Sequence, residues 1–190
     1  LGSNKYKLTS WPGSGRIADV TKATWGKAPT AEWMCEAHGP TVFNAILTGD
    51  PYRVRALIVS ATNPVNSYGN AKKVLKALKE VEFLVTCDYW MTPTAYLSDY
   101  VLPVANALER PTIHTNYGVT DSVVATQRAI QPLYERKTDY EIWRALALAT
   151  GQDEDMWPWL TDEEVYYYII YPIGTDAQSY DDFVERYNYH

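Results

Sequence analysis

Residues 55–70 read RALIVSATNPVNSYGN. Ala56 to Ser60 is an apolar run of strand length, and it meets Asn63-Pro64 and then Gly69-Asn70, where helical spacing begins. The connection over residues 61–70 is longer and more polar than a strand-to-helix return needs. In an α/β fold, the loop beyond the carboxyl end of a buried strand is where a ligand sits.

Reading outward, Thr41 to Leu47 has the spacing of a short helix, stopped by Gly49-Asp50-Pro51. Downstream, Ala71, Val74, Leu75 and Leu78 recur at helical spacing, with Lys72, Lys73, Lys76 and Lys79 on the other side and Asn70 as N-cap. EFLVTCD then reads as a second strand ending at Asp88. The loop YWMTPT, a short helix over Thr94 to Asp99 and a third strand YVLPV follow. Two strand-helix-strand passes call for parallel strands with right-handed crossovers. Ala56 to Ser60, apolar until its last residue, is predicted to be buried on both faces.

After Glu109 the pattern loosens, with an extra antiparallel strand expected at Ser122 to Thr126. Thr138 and Glu141 have capping-box spacing ahead of YEIWRALALAT, which Gly151 closes, and Thr161 and Glu164 repeat the device before VYYYII. The fold class is α/β, a three-layer sandwich around a mostly parallel, Rossmann-like sheet. The expected organisation is an irregular leading segment over 1–39, one α/β domain over 40–165, and an aromatic-rich helical extension over 166–190.

Composition narrows the function classes. A net charge of −6, with no basic run longer than Lys72-Lys73, carries no electrostatic footprint for nucleic acid or anionic membrane. No apolar run reaches the roughly 18 residues that a membrane-spanning helix requires. Cys35 and Cys87 belong to no CxxC pattern, and Cys35 with His38 would supply only half of a metal site, so no metal ligand set is expected. The chain carries 7 Trp and 16 Tyr, crowded toward its end, which suggests either an aromatic core or a surface that packs against other protein.

The loops at the strand ends carry Asn63, Asp88, Thr92, Thr94, Glu109 and Arg110, which the fold is expected to bring together. They contain neither G-x-G-x-x-G nor G-x-x-x-x-G-K, so an ordinary NAD or ATP site is disfavoured. Pro64 restricts Asn63 to extended backbone and aims its carboxamide at the crevice; Asn-Pro is also plain turn punctuation. Asp88, at the end of a buried strand, needs donors. A guanine edge supplies two, N1-H and the N2 amine; a local turn through Thr92 to Thr94 is the alternative. Asp99 reads as a brace into the third strand, and no catalytic triad or paired-carboxylate set emerges.

ALIVSATNPVNSYGNAKKVLKALKEVEFLVTCDYWMTPTAYLSDYVLPVANALER, residues 56–110, closely resembles the molybdopterin-guanine-dinucleotide-binding α/β domain of the molybdopterin oxidoreductases, the dimethyl sulfoxide reductase superfamily. That family shows a strand then Asn-Pro, a helix, a strand ending in Asp, Thr-x-Thr, Ser-Asp before Val-Leu-Pro, and Glu-Arg. A weaker likeness continues to WPWLTDEE, so the resemblance spans residues 40–165. It implies a bis(molybdopterin guanine dinucleotide) cofactor with molybdenum or tungsten, one half of it held by this domain. By the same resemblance Thr62, Asn63 and Pro64 approach the nucleotide end, Asp88 reads the guanine, and Thr92 and Thr94 offer hydroxyls to ribose or phosphate.

The family's N-terminal iron-sulfur Cys motif, metal ligand and C-terminal β-barrel are not seen in this sequence, which is therefore expected to be a fragment, inactive by itself, of an enzyme performing two-electron or oxygen-atom transfer. Its partners would be the remaining domains of the same polypeptide and electron-transfer subunits. The sequence leaves the compartment unknown. A minority of the superfamily, of the acetylene hydratase type, hydrates without net redox change. Two other readings stay open: a structural or docking domain without a cofactor site, and an adenine-preferring nucleotide enzyme of another family.

Overall fold

The computed structural model describes residues 39–50, 52–115 and 123–187. The expected leading segment, apart from Gly39, therefore lies outside the described residues, as do Cys35, His38 and His190. The described residues form two compact units that divide between Leu102 and Pro103. The division falls inside the span 40–165 expected as one domain, and residues beyond 165 contribute core to the second unit.

The first unit is the parallel α/β part. Helix α1 (Gly39–Thr48) is followed by β1 (Ala56–Ser60), a single turn α2 (Pro64–Ser67), α3 (Ala71–Glu80), β2 (Phe83–Asp88), and β3 (Tyr100–Pro103), which runs into the boundary. The sheet order is β1-β2-β3, and β1 pairs with β2 in parallel from Ala56↔Phe83 to Ser60↔Cys87. Alternation puts Leu57, Val59, Leu84 and Thr86 on one face of this pair. There α1 presents Phe43 and Ile46, and α3 presents Val74, Ala77 and Leu78. Burying each large aliphatic side chain of this layer contributes about 1.5–3 kcal/mol.

Asn70 caps α3 as expected, its side-chain oxygen accepting from the Lys73 N–H. The lysines of α3 lie away from the core, although Leu75, expected in the apolar stripe, is 36% exposed. Gly39 allows a close approach: a Cβ there would sit 2.5 Å from the ring of Tyr68, which packs edge-on against Phe43.

Two expectations are corrected in this unit. β1 is not buried on both faces; Val59 is buried but Ile58 is 42% exposed, because β1 is an outer strand covered by α1 and α3 on one face. The short helix over Thr94 to Asp99 shrinks to a 3-10 turn at Ala95–Leu97. The reason is Asp99, whose N–H donates to the Leu84 carbonyl at 2.8 Å while its carboxylate accepts the Leu84 N–H at 2.7 Å. Asp99 is thus already bonded to the edge of β2 and braces the turn into β3, as its place in the sequence suggested.

The second unit is built on an antiparallel pair, β4 (Thr112–Thr115) and β5 (Val123–Thr126), followed by α4 (Asp139–Ala149), α5 (Asp162–Ile170) and α6 (Tyr180–Tyr187). The antiparallel strand expected near residues 122–126 is present; its partner β4 was not foreseen. Ala125, Ile170, Tyr180, Phe183 and Val184 form the core between the β4-β5 pair, α5 and α6. The Tyr180 hydroxyl reaches the carbonyls of Thr112 and Thr126, 2.8 and 2.9 Å away on opposed strands.

Both capping boxes form, Thr138 with Glu141 and Thr161 with Glu164. Gly151, at φ +85°, closes α4 with the paired bonds of a Schellman motif: Gln152 N–H to Ala147 O and Gly151 N–H to Leu148 O. Asp162, the first residue of α5, is buried. Burial pushes the Asp162 carboxyl above its ordinary range.

Glu109 behaves oppositely. It is fully buried, and accepts from the Asn106 and Leu133 N–H groups at 2.9 and 3.2 Å and from Arg136 Nη1 at 2.9 and 3.1 Å. The Asn106 N–H bond, with the Leu133 and Arg136 bonds, outweighs burial and holds its carboxyl below the usual value.

Replacing Tyr180 by Phe removes the hydroxyl that reaches those two carbonyls and should cost about 1–2 kcal/mol of stability in urea denaturation. The two buried carboxylates should titrate with opposite signs. A raised folded pKa means that Asp162 contributes stability below about pH 4 and loses it as pH rises. Asp162→Asn should therefore raise the melting temperature at pH 7 and give no gain below pH 4. Glu109, with a lowered pKa, contributes above its unfolded value and loses that as pH falls. Glu109→Gln should lower the melting temperature at pH 7 and flatten the acid limb of the stability curve.

Candidate functional site

The register Ser60↔Cys87 ends β1 and β2 level with each other, so the loops that begin at Ala61 and Asp88 leave the sheet side by side. In parallel sheets a ligand binds in the crevice beyond such carboxyl ends.

The first loop starts with Ala61 at φ +56°, a left-handed conformation that costs a residue with a Cβ roughly 1–2 kcal/mol. Nothing in an alanine announces this, and the sequence reading missed it. Thr62 is exposed, Asn63 is half-buried, and Pro64 is buried as the first residue of α2. The Asn63 carbonyl accepts the N–H groups of Asn66 and Ser67 at 3.0 and 2.9 Å, closing the turn.

The second loop carries the other candidates. Asp88 is half-buried; one oxygen accepts the Trp90 N–H at 3.1 Å, and the other lies 3.5 Å from the Thr92 hydroxyl. The first closes a local turn at Trp90, short of the Thr92 to Thr94 segment that the sequence offered as the alternative partner. The second is at the weak limit of a hydrogen bond. Each carboxylate oxygen can accept twice, so Asp88 retains acceptor capacity for a donor pair. The Thr92 hydroxyl also accepts the Ala95 N–H at 3.2 Å, starting the 3-10 turn.

Thr94 differs from what the resemblance implied. It is fully buried, so its hydroxyl is not presented to a ligand. It donates to Asn63 Oδ1 at 2.7 Å and accepts the Val65 N–H at 3.3 Å, which joins the second loop to the first. Behind it, Ser98 Oγ donates to the Thr94 carbonyl at 3.2 Å and lies 2.6 Å from the hydroxyl of the buried Thr86. Ser98 and Thr86 were not singled out in the sequence; their pairing is created by the turn that places residue 98 against β2.

Glu109 and Arg110 belong to the second unit and are bonded within it. Glu109 is committed to Asn106, Leu133 and Arg136, and Arg110 Nη1 donates to Asp139 at 2.7 Å, all within the second unit. Exposed aromatic side chains flank the second loop instead, Trp90 at 71% and Tyr96 at 74%. Among the described residues there is no group of three or more His, Cys, Asp or Glu side chains that could hold a metal ion, and no helix long and apolar enough to cross a membrane. What the two loops bring together is a carboxamide with its NH₂ free of hydrogen bonds among the described residues and a carboxylate with acceptor capacity left. That donor and acceptor set suits a polar heterocycle or a nucleotide.

Comparison with known proteins identifies the segment that bears these loops. Residues 36–149 match the family model described as molybdopterin oxidoreductase. The chain is similar to the acetylene hydratase of Syntrophotalea acetylenica, 32% identical over 95% of this chain and 25% of that protein. It is also similar to the dopamine dehydroxylase of Eggerthella lenta, 32% identical over 87% of this chain and 15% of that protein. The solved structure of acetylene hydratase from Pelobacter acetylenicus superposes with a TM-score of 0.73 at 29% identity, covering 95% of this chain and 24% of that one. The chain thus spans a quarter or less of the length of these relatives.

If the left-handed backbone at Ala61 is imposed by the loop, Ala61→Gly should leave stability unchanged or raise it by up to about 1 kcal/mol, since relief of the Cβ clash exceeds the entropy glycine adds to the unfolded chain. Equilibrium denaturation of the two proteins side by side reads the difference directly.

Proposed function

The chain belongs to the molybdopterin oxidoreductase family, and on that premise we propose that its loops over 61–64 and 88–94 hold the guanine nucleotide end of a molybdopterin guanine dinucleotide. The observation that carries the reading is the pairing of the two loops at level strand ends, inside the family-matched segment, with Asn63 and Asp88 keeping free hydrogen-bonding capacity. Asp88 accepts the N1-H and N2 amine of guanine. Its bond to the Trp90 N–H orients the carboxylate for that task. Adenine has an acceptor at N1 and no N2 amine, so the same carboxylate disfavours it. Asn63 donates from its NH₂, and exposed Thr62 lies beside it on the same loop. Thr92 steadies Asp88 and begins the turn, and Thr94 acts through Asn63.

When bound, the cofactor supplies a molybdenum or tungsten centre for two-electron or oxygen-atom transfer, the metal chemistry being its own and the protein's part being to bind and orient it. The bis(molybdopterin guanine dinucleotide) form, the second half held by a related domain, follows the resemblance of residues 56–110. Further domains of one polypeptide are the proposed partners: the chain spans a quarter or less of its relatives, and Ile58, Phe83 and Tyr100 of the sheet are left exposed at 42, 43 and 63%. The likeness to acetylene hydratase over 95% of the chain favours a second reading of the whole enzyme's reaction, a hydration without net redox change. The nucleotide-holding role is the same in both.

A calorimetric or NMR titration of the chain with GDP and with ADP tests the reading. Millimolar GDP binding, about −4 kcal/mol, is expected, with ADP weaker. Asp88→Ala should weaken GDP by about tenfold or more and leave ADP unchanged, because a hydrogen bond to a charged group is worth about 1.5–3 kcal/mol. Equal or absent responses to both nucleotides from a folded sample would favour a docking domain.

A further inference from the structure

We propose that Thr94 is a positioning residue whose hydroxyl fixes the Asn63 carboxamide with its NH₂ turned outward, as a donor to a hydrogen-bond acceptor of the bound nucleotide. The ligand half of this inference rests on the guanine-nucleotide reading of the two loops; the orientation half stands without it.

The two ends of a carboxamide are nearly alike in shape, so only bonding partners decide which end faces which way. The Val65 N–H can only donate, so Thr94 Oγ1 is the acceptor in that 3.3 Å bond. The 2.7 Å contact with Asn63 has the length of an O–H···O bond and is shorter than the usual N–H···O one, so the hydroxyl proton is donated there, with Oδ1 as its acceptor. Nδ2 therefore points away from Thr94. It has no hydrogen bond among the described residues.

The neighbouring constraints leave the group little freedom. Pro64 restricts the Asn63 backbone from one side, the left-handed Ala61 bends the chain two residues before it, and the Asn63 carbonyl holds the Asn66 and Ser67 N–H groups. Thr94 is fully buried and anchored through its carbonyl to Ser98, which bonds to the buried Thr86 of β2. A run of hydrogen bonds thus leads from Thr86 in the sheet through Ser98 to the Thr94 carbonyl, and from the Thr94 hydroxyl to the Asn63 carboxamide. A fixed donor pair of this kind matches a phosphate oxygen or a purine carbonyl, and it mismatches a group that itself must donate.

The experiment uses the ¹⁵N-labelled 190-residue chain. Without ligand, the Asn63 side-chain amide resonances should be well dispersed in the native chain and in Thr94→Ser, which keeps the hydroxyl, and should collapse toward the free-amide position in Thr94→Val. With GDP, Thr94→Ser should bind within about twofold of native, while Thr94→Val and Asn63→Ala should weaken binding by about three- to tenfold, the value of one hydrogen bond. Asn63→Asp keeps the shape and the bond from Thr94 but turns an acceptor outward, so it should bind more weakly than Asn63→Ala. This variant decides the matter even if Thr94→Val fails to fold.

Guanosine in place of GDP locates the acceptor. Variants that weaken GDP alone place it on a phosphate, and variants that weaken both place it on the base or ribose; each pattern supports the proposal. Thr94→Val that keeps native amide resonances and native GDP binding, while Asn63→Ala weakens it, overturns the role of Thr94 and leaves the nucleotide site standing. GDP binding unaffected by Asn63→Ala and Asp88→Ala alike overturns the nucleotide site and the ligand half of the inference with it.

Discussion

The parallel pairing of β1 with β2, in the register that sets Ser60 opposite Cys87, is the constraint from which the candidate site follows. A shift of one residue would turn Leu57 and Val59 away from α1 and α3 and expose them, so the apolar layer beneath the sheet holds the register. Level strand ends are its consequence at the other end. Two loops then begin at one height, and a single hydroxyl, that of Thr94, is enough to join them.

The turn between β2 and β3 serves this arrangement from behind. Asp99 takes both polar backbone groups of Leu84, one with its N–H and one with its carboxylate, and so uses the edge of β2 before β3 begins. That placement carries Ser98 against Thr86 and holds Thr94 in the interior. Buried hydroxyls without partners would each be unfavourable; here Thr86 pairs with Ser98, Ser98 with the Thr94 carbonyl, and Thr94 with Asn63 and the Val65 N–H, which ties the loop to the sheet.

The second unit solves a different problem with charge. Its two buried carboxylates are treated unequally: Glu109 is surrounded by donors and favoured as the anion, while Asp162 is desolvated and disfavoured as one. Both sit where a chain segment changes direction, Glu109 over the turn at 106–109 and Asp162 at the start of α5. Tyr180 adds a neutral version of the same device, bridging two strand carbonyls from the core. Part of the aromatic surplus is absorbed here, as in the tilted contact of Trp159 with Tyr168, whereas Trp90 and Tyr96 remain on the surface of the first unit.

Much of this is local and was therefore legible in the amino-acid sequence. The strand at Ala56–Ser60, the capped helix from Ala71, the strand ending at Asp88, both capping boxes and the Gly151 stop depend on residues a few positions apart. The order of motifs over residues 56–110 likewise pointed to the molybdopterin oxidoreductases. Only tertiary structure decided the rest, because those features depend on residues far apart in the chain. The exposed face of Ile58 follows from β1 being an outer strand, and the unforeseen β4 exists through its pairing with β5. Thr94, a ligand contact by the family resemblance, is a buried support once residues 63 and 94 are brought within hydrogen-bonding distance. Burial, which a local pattern does not encode, is what separates a hydroxyl that meets a ligand from one that holds the residue that does.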